Sequence, residues 1–203
     1  MRIVAVVGAD GAGKSTQAGL LESRLKARGY KATCVRPVFL LFDPWRHKDH
    51  RGLARAVSPR LRRLGRLKGA ANGGSRAGLT PRLGYLYALA SYAYLRLALR
   101  RWDFVVCDRY FYEFFYDLFG PAGGQVAKSF PRPDLTVWLD ASVDRIQERA
   151  ADRADEEPGR PYLEAIIDYY RGLSPALGFR RIDADGDPDR VSAEIWNVLV
   201  GGG

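Results

Sequence analysis

The feature that most constrains this chain is the stretch Gly8-Ala9-Asp10-Gly11-Ala12-Gly13-Lys14-Ser15, directly after the apolar run Ile3–Val7. It fits G-x-x-x-x-G-K-[ST] at every defined position. Glycine has no Cβ, so the backbone can curl until successive N–H groups turn inward. A helix beginning at the lysine adds the positive end of its dipole. Lys14 supplies a mobile positive charge. The Ser15 hydroxyl suits Mg²⁺, which keeps most of its waters and takes few protein ligands. The chain is therefore expected to bind ATP or a similar triphosphate with magnesium, through Gly8, Ala9, Asp10, Gly11, Ala12, Gly13, Lys14, Ser15 and Thr16.

Composition narrows the class. The 203 residues are 47% hydrophobic and 27% charged, which is ordinary globular usage. Cys34 and Cys107 alone make neither a disulfide framework nor a zinc cluster. No apolar stretch reaches the ~20 residues that span a bilayer. The apolar run before the first glycine is too short for a signal peptide, so a cytoplasmic location and no membrane partner are expected. The net charge of +9 is uneven: the window Arg46–Lys68 holds nine Lys/Arg against the single acid Asp49. Such a segment is either a solvated helix face or a patch for a polyanion.

Short apolar runs alternate with longer amphipathic ones. Strands are expected at Ile3–Val7, Ala32–Val35, Phe104–Cys107, Leu135–Leu139 and Phe179–Ile182. Runs this apolar, separated by helices, imply parallel strands joined by right-handed crossovers and buried on both faces. Helices are expected at Lys14–Arg28, stopped by Gly29, and from Thr80-Pro81 to Arg101, the latter apolar nearly all round and so buried. Further helices are expected from Ser142 to about Asp155, over about Pro161–Leu173, and from Asp187-Pro188 to about Leu199.

A second constellation is Asp108-Arg109-Tyr110, at the end of the third strand. A carboxylate there can hold a magnesium-bound water or orient an acceptor. A guanidinium beside it offers a planar fork for phosphate. Phosphoryl transfer needs little beyond alignment and charge neutralisation. Asp10, inside the glycine-rich loop, is best placed facing away from the donor phosphates, toward an acceptor hydroxyl. The Asn-Lys-x-Asp element of a GTPase is absent from the sequence. What remains is a small-molecule kinase or a compact ATPase.

These residues resemble the thymidylate kinase family of nucleoside monophosphate kinases. The resemblance rests on Gly8–Gln17, on Asp108-Arg109-Tyr110, on Pro133–Asp140, on Glu148-Arg149-Ala150, and on Tyr162-x-Glu164 with Tyr169-Tyr170. It implies a P-loop α/β/α fold with a five-stranded parallel sheet in the order 2-3-1-4-5 and a helical lid. One kinase domain would span 1–203, with a basic insert at about 40–80 and the lid at about 144–160. The implied reaction is dTMP + ATP to dTDP + ADP, with Mg²⁺. Lys14, Asp108, Arg109, Arg149 and Arg153 would be catalytic. Asp10, Arg36, Arg109 and Tyr110 would meet the acceptor, and Ser15 and Asp108 the metal. A homodimer is an open assembly. After Tyr110 the family continues with a serine and then Ala-Tyr-Gln, whereas this chain reads Phe111-Tyr112-Glu113-Phe114-Phe115-Tyr116-Asp117. Two other readings stay open: a kinase of this fold with another small acceptor, and a nucleic-acid-binding P-loop ATPase that uses 46–68.

Overall fold

The computed structural model describes residues 1–40, 80–151 and 159–201. The basic window 46–68, most of the insert, and Arg153 with the outer part of the lid lie outside the described residues. The elements run β1 (Arg2–Val7), α1 (Lys14–Ala27), β2 (Ala32–Val35), a 3-10 turn (Pro37–Phe39), α2 (Thr80–Ala98), β3 (Phe104–Asp108), α3 (Phe111–Phe119), α4 (Gly123–Ser129), β4 (Leu135–Asp140), α5 (Val143–Ala151), α6 (Arg160–Leu177), β5 (Arg180–Asp183) and α7 (Pro188–Gly201).

The five strands form one parallel sheet in the order β2-β3-β1-β4-β5. Helices flank it on both sides, as in P-loop α/β kinases: α1 packs with α7, while α2, α3, α4 and α6 pack with one another. The central strand explains the lack of alternation in its sequence. Ile3 through Val7 are at most 1% exposed, because β1 has strands on both edges and helices on both faces. The edge strand differs from expectation. In β5 only Ile182 is buried, and the strand runs Arg180–Asp183 instead of 179–182. At the end of the sheet, the flanking layer covers one residue of four.

Local chemistry sets the helix ends. Ser142 caps α5 by accepting a hydrogen bond from the Arg145 N–H (3.2 Å), and Asp187 caps α7 by accepting one from the Asp189 N–H (2.8 Å). Such caps contribute about 1 kcal/mol each. Gly29, just after α1, has φ +86° and donates its N–H to the Lys26 carbonyl.

The α2 helix corrects the expectation of burial all round. Ala88, Ser91 and Leu95 face inward with no exposure, but Leu83, Leu86 and Leu97 are 49%, 59% and 68% exposed. With exposed Ala90 and Ala93 they form an apolar stripe at alternating spacings of three and four. No described helix is long and apolar enough to cross a membrane.

The aromatic run after β3 goes into the core. Phe130, 3% exposed, lies with its ring centroid 4.8 Å from Phe111, 5.0 Å from Phe115, 5.9 Å from Tyr92 and 6.0 Å from Tyr85. This cluster fixes α3 against α2 and the end of α4, and α3 carries part of the site. Phe130→Ala should therefore cost about 3–5 kcal/mol, read as a lower urea midpoint at unchanged slope. A loss below about 1 kcal/mol would mean the cluster does not anchor α3.

Candidate functional site

Parallel register brings three strand ends together. Val6 of β1 lies opposite Asp108 of β3, and Val7 lies opposite Trp138 of β4. The glycine-rich loop leaves β1 at this edge. Gly8 has φ +149°, and a Cβ there would sit 2.5 Å from the Leu139 carbonyl oxygen, so the loop must be glycine at its start. Gly13 has φ +93° at the N-cap of α1, which turns the chain from the loop into the helix.

Lys14 is 4% exposed and reaches back across the loop. Its Nζ donates to the carbonyls of Gly8 (2.8 Å) and Ala9 (2.6 Å) and to Asp10 Oδ1 (3.2 Å). Burial pulls the Lys14 ammonium below its ordinary value, which Glu113 and Asp10 only partly offset. Ser15 and Thr16 are exposed at the start of α1.

Arg36, one residue past β2, joins the two residues expected at the metal. Its Nε donates to Asp108 Oδ2 (2.6 Å), and its Nη2 donates to Ser15 Oγ (2.7 Å). Asp108 is 5% exposed, and its other oxygen, Oδ1, is buried with no hydrogen-bond partner. A buried carboxylate oxygen costs free energy unless something donates to it or binds it. An orphaned anionic oxygen beside a hydroxyl, with a cation already bridging the pair, fits Mg²⁺. No described group of three or more metal-binding side chains gathers here, and Mg²⁺ needs none, because it takes one or two protein ligands plus phosphate oxygens.

Arg109 is the centre of a second cluster. Among the described residues it is the one non-glycine with positive φ, +76°, a strained backbone of the kind held at functional sites. Its Nη1 donates to both Glu113 oxygens (2.8 and 3.0 Å), and its Nη2 pairs with Asp10 Oδ1 (2.5 Å). The fork is thus preset by two carboxylates. Burial pushes the Glu113 carboxyl up, against the pull of Lys14 and Arg109, and the net shift is upward. Burial also pushes Asp10 up, but Lys14 and Arg109 outweigh it and hold that carboxyl below its ordinary 3.8.

The structure brings Asp10, Lys14, Ser15, Arg36, Asp108 and Arg109 into two linked groups. Two other residues lie apart from them. Tyr110 is 1% exposed and donates from its hydroxyl to the Pro131 carbonyl (2.8 Å), so its ring is in the core. Arg149 on α5 donates to the Ala184 carbonyl (2.8 Å), one turn beyond Ile146, which closes over the loop at Gly11. Glu113 was missed from sequence. Its sequence signal is weak: it is the first acid after Arg109, but Arg109 precedes α3 with a left-handed backbone, so helix spacing alone does not pair the two. Asp117, one turn further, accepts from the Tyr162 hydroxyl (3.3 Å) and extends the acidic wall.

Among known proteins, three thymidylate kinases illustrate the similarity. The chain is 29% identical to "Thymidylate kinase" of Rhodopseudomonas palustris (strain TIE-1), over 98% of this chain and 88% of the relative. It is 27% identical to the "Thymidylate kinase" of a Synechococcus (strain JA-2-3B'a(2-13)), over 97% and 93%. It is 25% identical to "Probable thymidylate kinase" of Pyrobaculum aerophilum, over 98% and 96%. No protein-family model matches the chain.

The Asp10 charge makes a pH prediction. Its folded value lies below the unfolded 3.8, so its stabilising contribution is complete above 3.8 and is lost as pH falls through the folded value. The Tm gap between the wild type and Asp10→Asn should be constant from about pH 5 to 7 and shrink below about pH 4. A gap that widens toward acid would contradict the pairing.

Proposed function

We propose that this chain, which belongs to the thymidylate kinase family, moves the γ-phosphoryl group of ATP to dTMP. It is an ATP-dependent kinase of the nucleoside monophosphate type, and dTMP is the finer assignment. The observation that carries it is the meeting of the phosphate cradle, Gly8–Ser15, with a preset guanidinium fork at the same edge of the sheet. The chain would act as one kinase domain.

The donor phosphates would lie over the inward N–H groups of the loop, with Lys14 released from its carbonyl contacts to meet them. Arg109 would take the acceptor phosphate, assisted by Arg36, while Asp10 faces the acceptor sugar. Tyr110 would support this pair from beneath, packed in the core. Ser15 and Asp108 would hold Mg²⁺, which supplies charge neutralisation on the phosphates when bound. The attacking phosphate oxygen is already anionic, so the transfer needs alignment and electrostatics instead of a strong base. Arg149, with Arg153 further along the lid, would offset charge as the lid closes and excludes water.

A second reading has its own support. Arg109 already pairs two carboxylates, and the partnerless Asp108 Oδ1 is a ready acceptor for a hydroxyl proton. Both favour an acceptor that presents a hydroxyl. The two readings part on the acceptor phosphate: the hydroxyl reading predicts turnover of an unphosphorylated nucleoside or sugar that Arg109→Ala leaves nearly unchanged, and the monophosphate reading predicts no turnover without that phosphate.

The α2 stripe supports a homodimer. Leu83, Leu86 and Leu97 present one apolar face at the spacing by which helices pair. Leu86→Glu should convert a dimer to a monomer in light scattering, and an unchanged mass would remove the assignment.

The test of function is ADP release from ATP–Mg²⁺ against dTMP, the other monophosphates, thymidine, simple sugars and no acceptor. dTMP should stimulate most, and Lys14→Ala should lower kcat by about 10²-fold or more at unchanged circular dichroism. Near-normal turnover in that variant, or no stimulation by any monophosphate, would overturn the proposal.

A further inference from the structure

A second cationic pocket lies beside the start of β4. Arg2 opens β1, Arg132 lies in the turn before β4, and Arg180 opens β5. All three line one cavity of about 170 Å³, closed on its apolar side by Leu177 and Val198. One acid, Asp134, also lines it, and its Oδ2 already accepts the Ile3 N–H at 2.6 Å. Arg2 lines the β1 side of the cavity, and its guanidinium leans toward β3, over the Phe104 ring, 5.9 Å from its centroid. Among the described residues, none of the three guanidinium groups donates a hydrogen bond or pairs with a carboxylate. The adjacent Arg181 shows the contrast: it bonds Asp140 at 2.6 Å.

We propose that Arg2, Arg132 and Arg180 form a binding site for a small phosphate-type oxyanion, separate from the nucleotide site. Arg132 and Arg180, with Arg2 at the β1 rim, against one occupied carboxylate, favour an anion with several acceptor oxygens. Size restricts it. The cavity holds about six waters' worth of volume, below the range of pockets that enclose drug-sized ligands. Phosphate or pyrophosphate fits that measure, and a nucleoside does not. None of the site's lining residues belongs to Gly8–Ser15 or is Arg36, Asp108 or Arg109. It is therefore independent of the proposed kinase reading.

The test is thermal unfolding of the full chain with sodium pyrophosphate at constant ionic strength. A saturating non-hydrolysable ATP analogue, with Mg²⁺ in excess over pyrophosphate, occupies the donor site throughout, and every protein in the comparison carries Arg109→Ala so that the acceptor fork holds no pyrophosphate. Pyrophosphate should still raise Tm in Arg109→Ala protein with the pocket intact, and phosphate should do so more weakly. Arg132→Ala/Arg180→Ala should abolish that rise. Arg180→Gln, a single change at an exposed edge-strand position, should weaken pyrophosphate about tenfold by titration and serves if the double variant does not fold. Neither change, made in the wild type, should alter kcat. A rise retained in these variants, or matched by chloride at equal ionic strength, would overturn the proposal.

Discussion

The parallel pairing of β1 with both β3 and β4 is the constraint on which the rest depends. It sets Val6 against Asp108 and Val7 against Trp138, so the loop after β1 and the Asp108-Arg109 pair after β3 emerge side by side. The pairing holds because β1 is buried on every side: a one-residue shift would move the loop by about 3.3 Å and part it from Arg109. Gly8 meets the Leu139 carbonyl at a distance no Cβ tolerates, so the same pairing also dictates the residue that starts the loop.

Around that edge, charge is balanced before any ligand is considered. Three cations, Lys14, Arg36 and Arg109, face three carboxylates, Asp10, Asp108 and Glu113. Arg36 ties Asp108 to Ser15, and Asp10 and Glu113 grip Arg109 from two sides. Buried charges persist only when paired, and here pairing also aims them. The guanidinium of Arg109 is oriented by its partners and by a left-handed backbone, so little side-chain entropy remains to be lost when it binds. The same pairing weakens its pull on a phosphate, because part of its charge is already met.

What was legible in the sequence follows from how local its cause is. The glycine-rich loop, the caps at Ser142 and Asp187, and the buried strand runs are written in consecutive residues. With the family resemblance, they also gave the strand order. Three things needed tertiary contacts. Glu113 sits inside an aromatic run whose dominant message is core packing, so its bond to Arg109 was hidden. The α2 helix is apolar all round by composition, yet only neighbours decide that Leu95 is covered and Leu97 is not. The resemblance puts Arg36 near an acceptor phosphate, and its bridge from Ser15 to Asp108 depends on β2 lying next to β3. The arginine pocket draws its residues from the starts of β1 and β5 and the segment before β4, which no spacing announces.

The central claim is that a fork preset by Asp10 and Glu113 reads a phosphate on the acceptor. The most direct measurement is titration calorimetry of dTMP and of thymidine into the protein saturated with ADP–Mg²⁺, repeated with Arg109→Ala. The account predicts that the monophosphate binds at least about tenfold tighter than the nucleoside, and that the gap closes in the variant because only dTMP loses affinity. Equal affinities in the wild type, or a gap that survives Arg109→Ala, would contradict it.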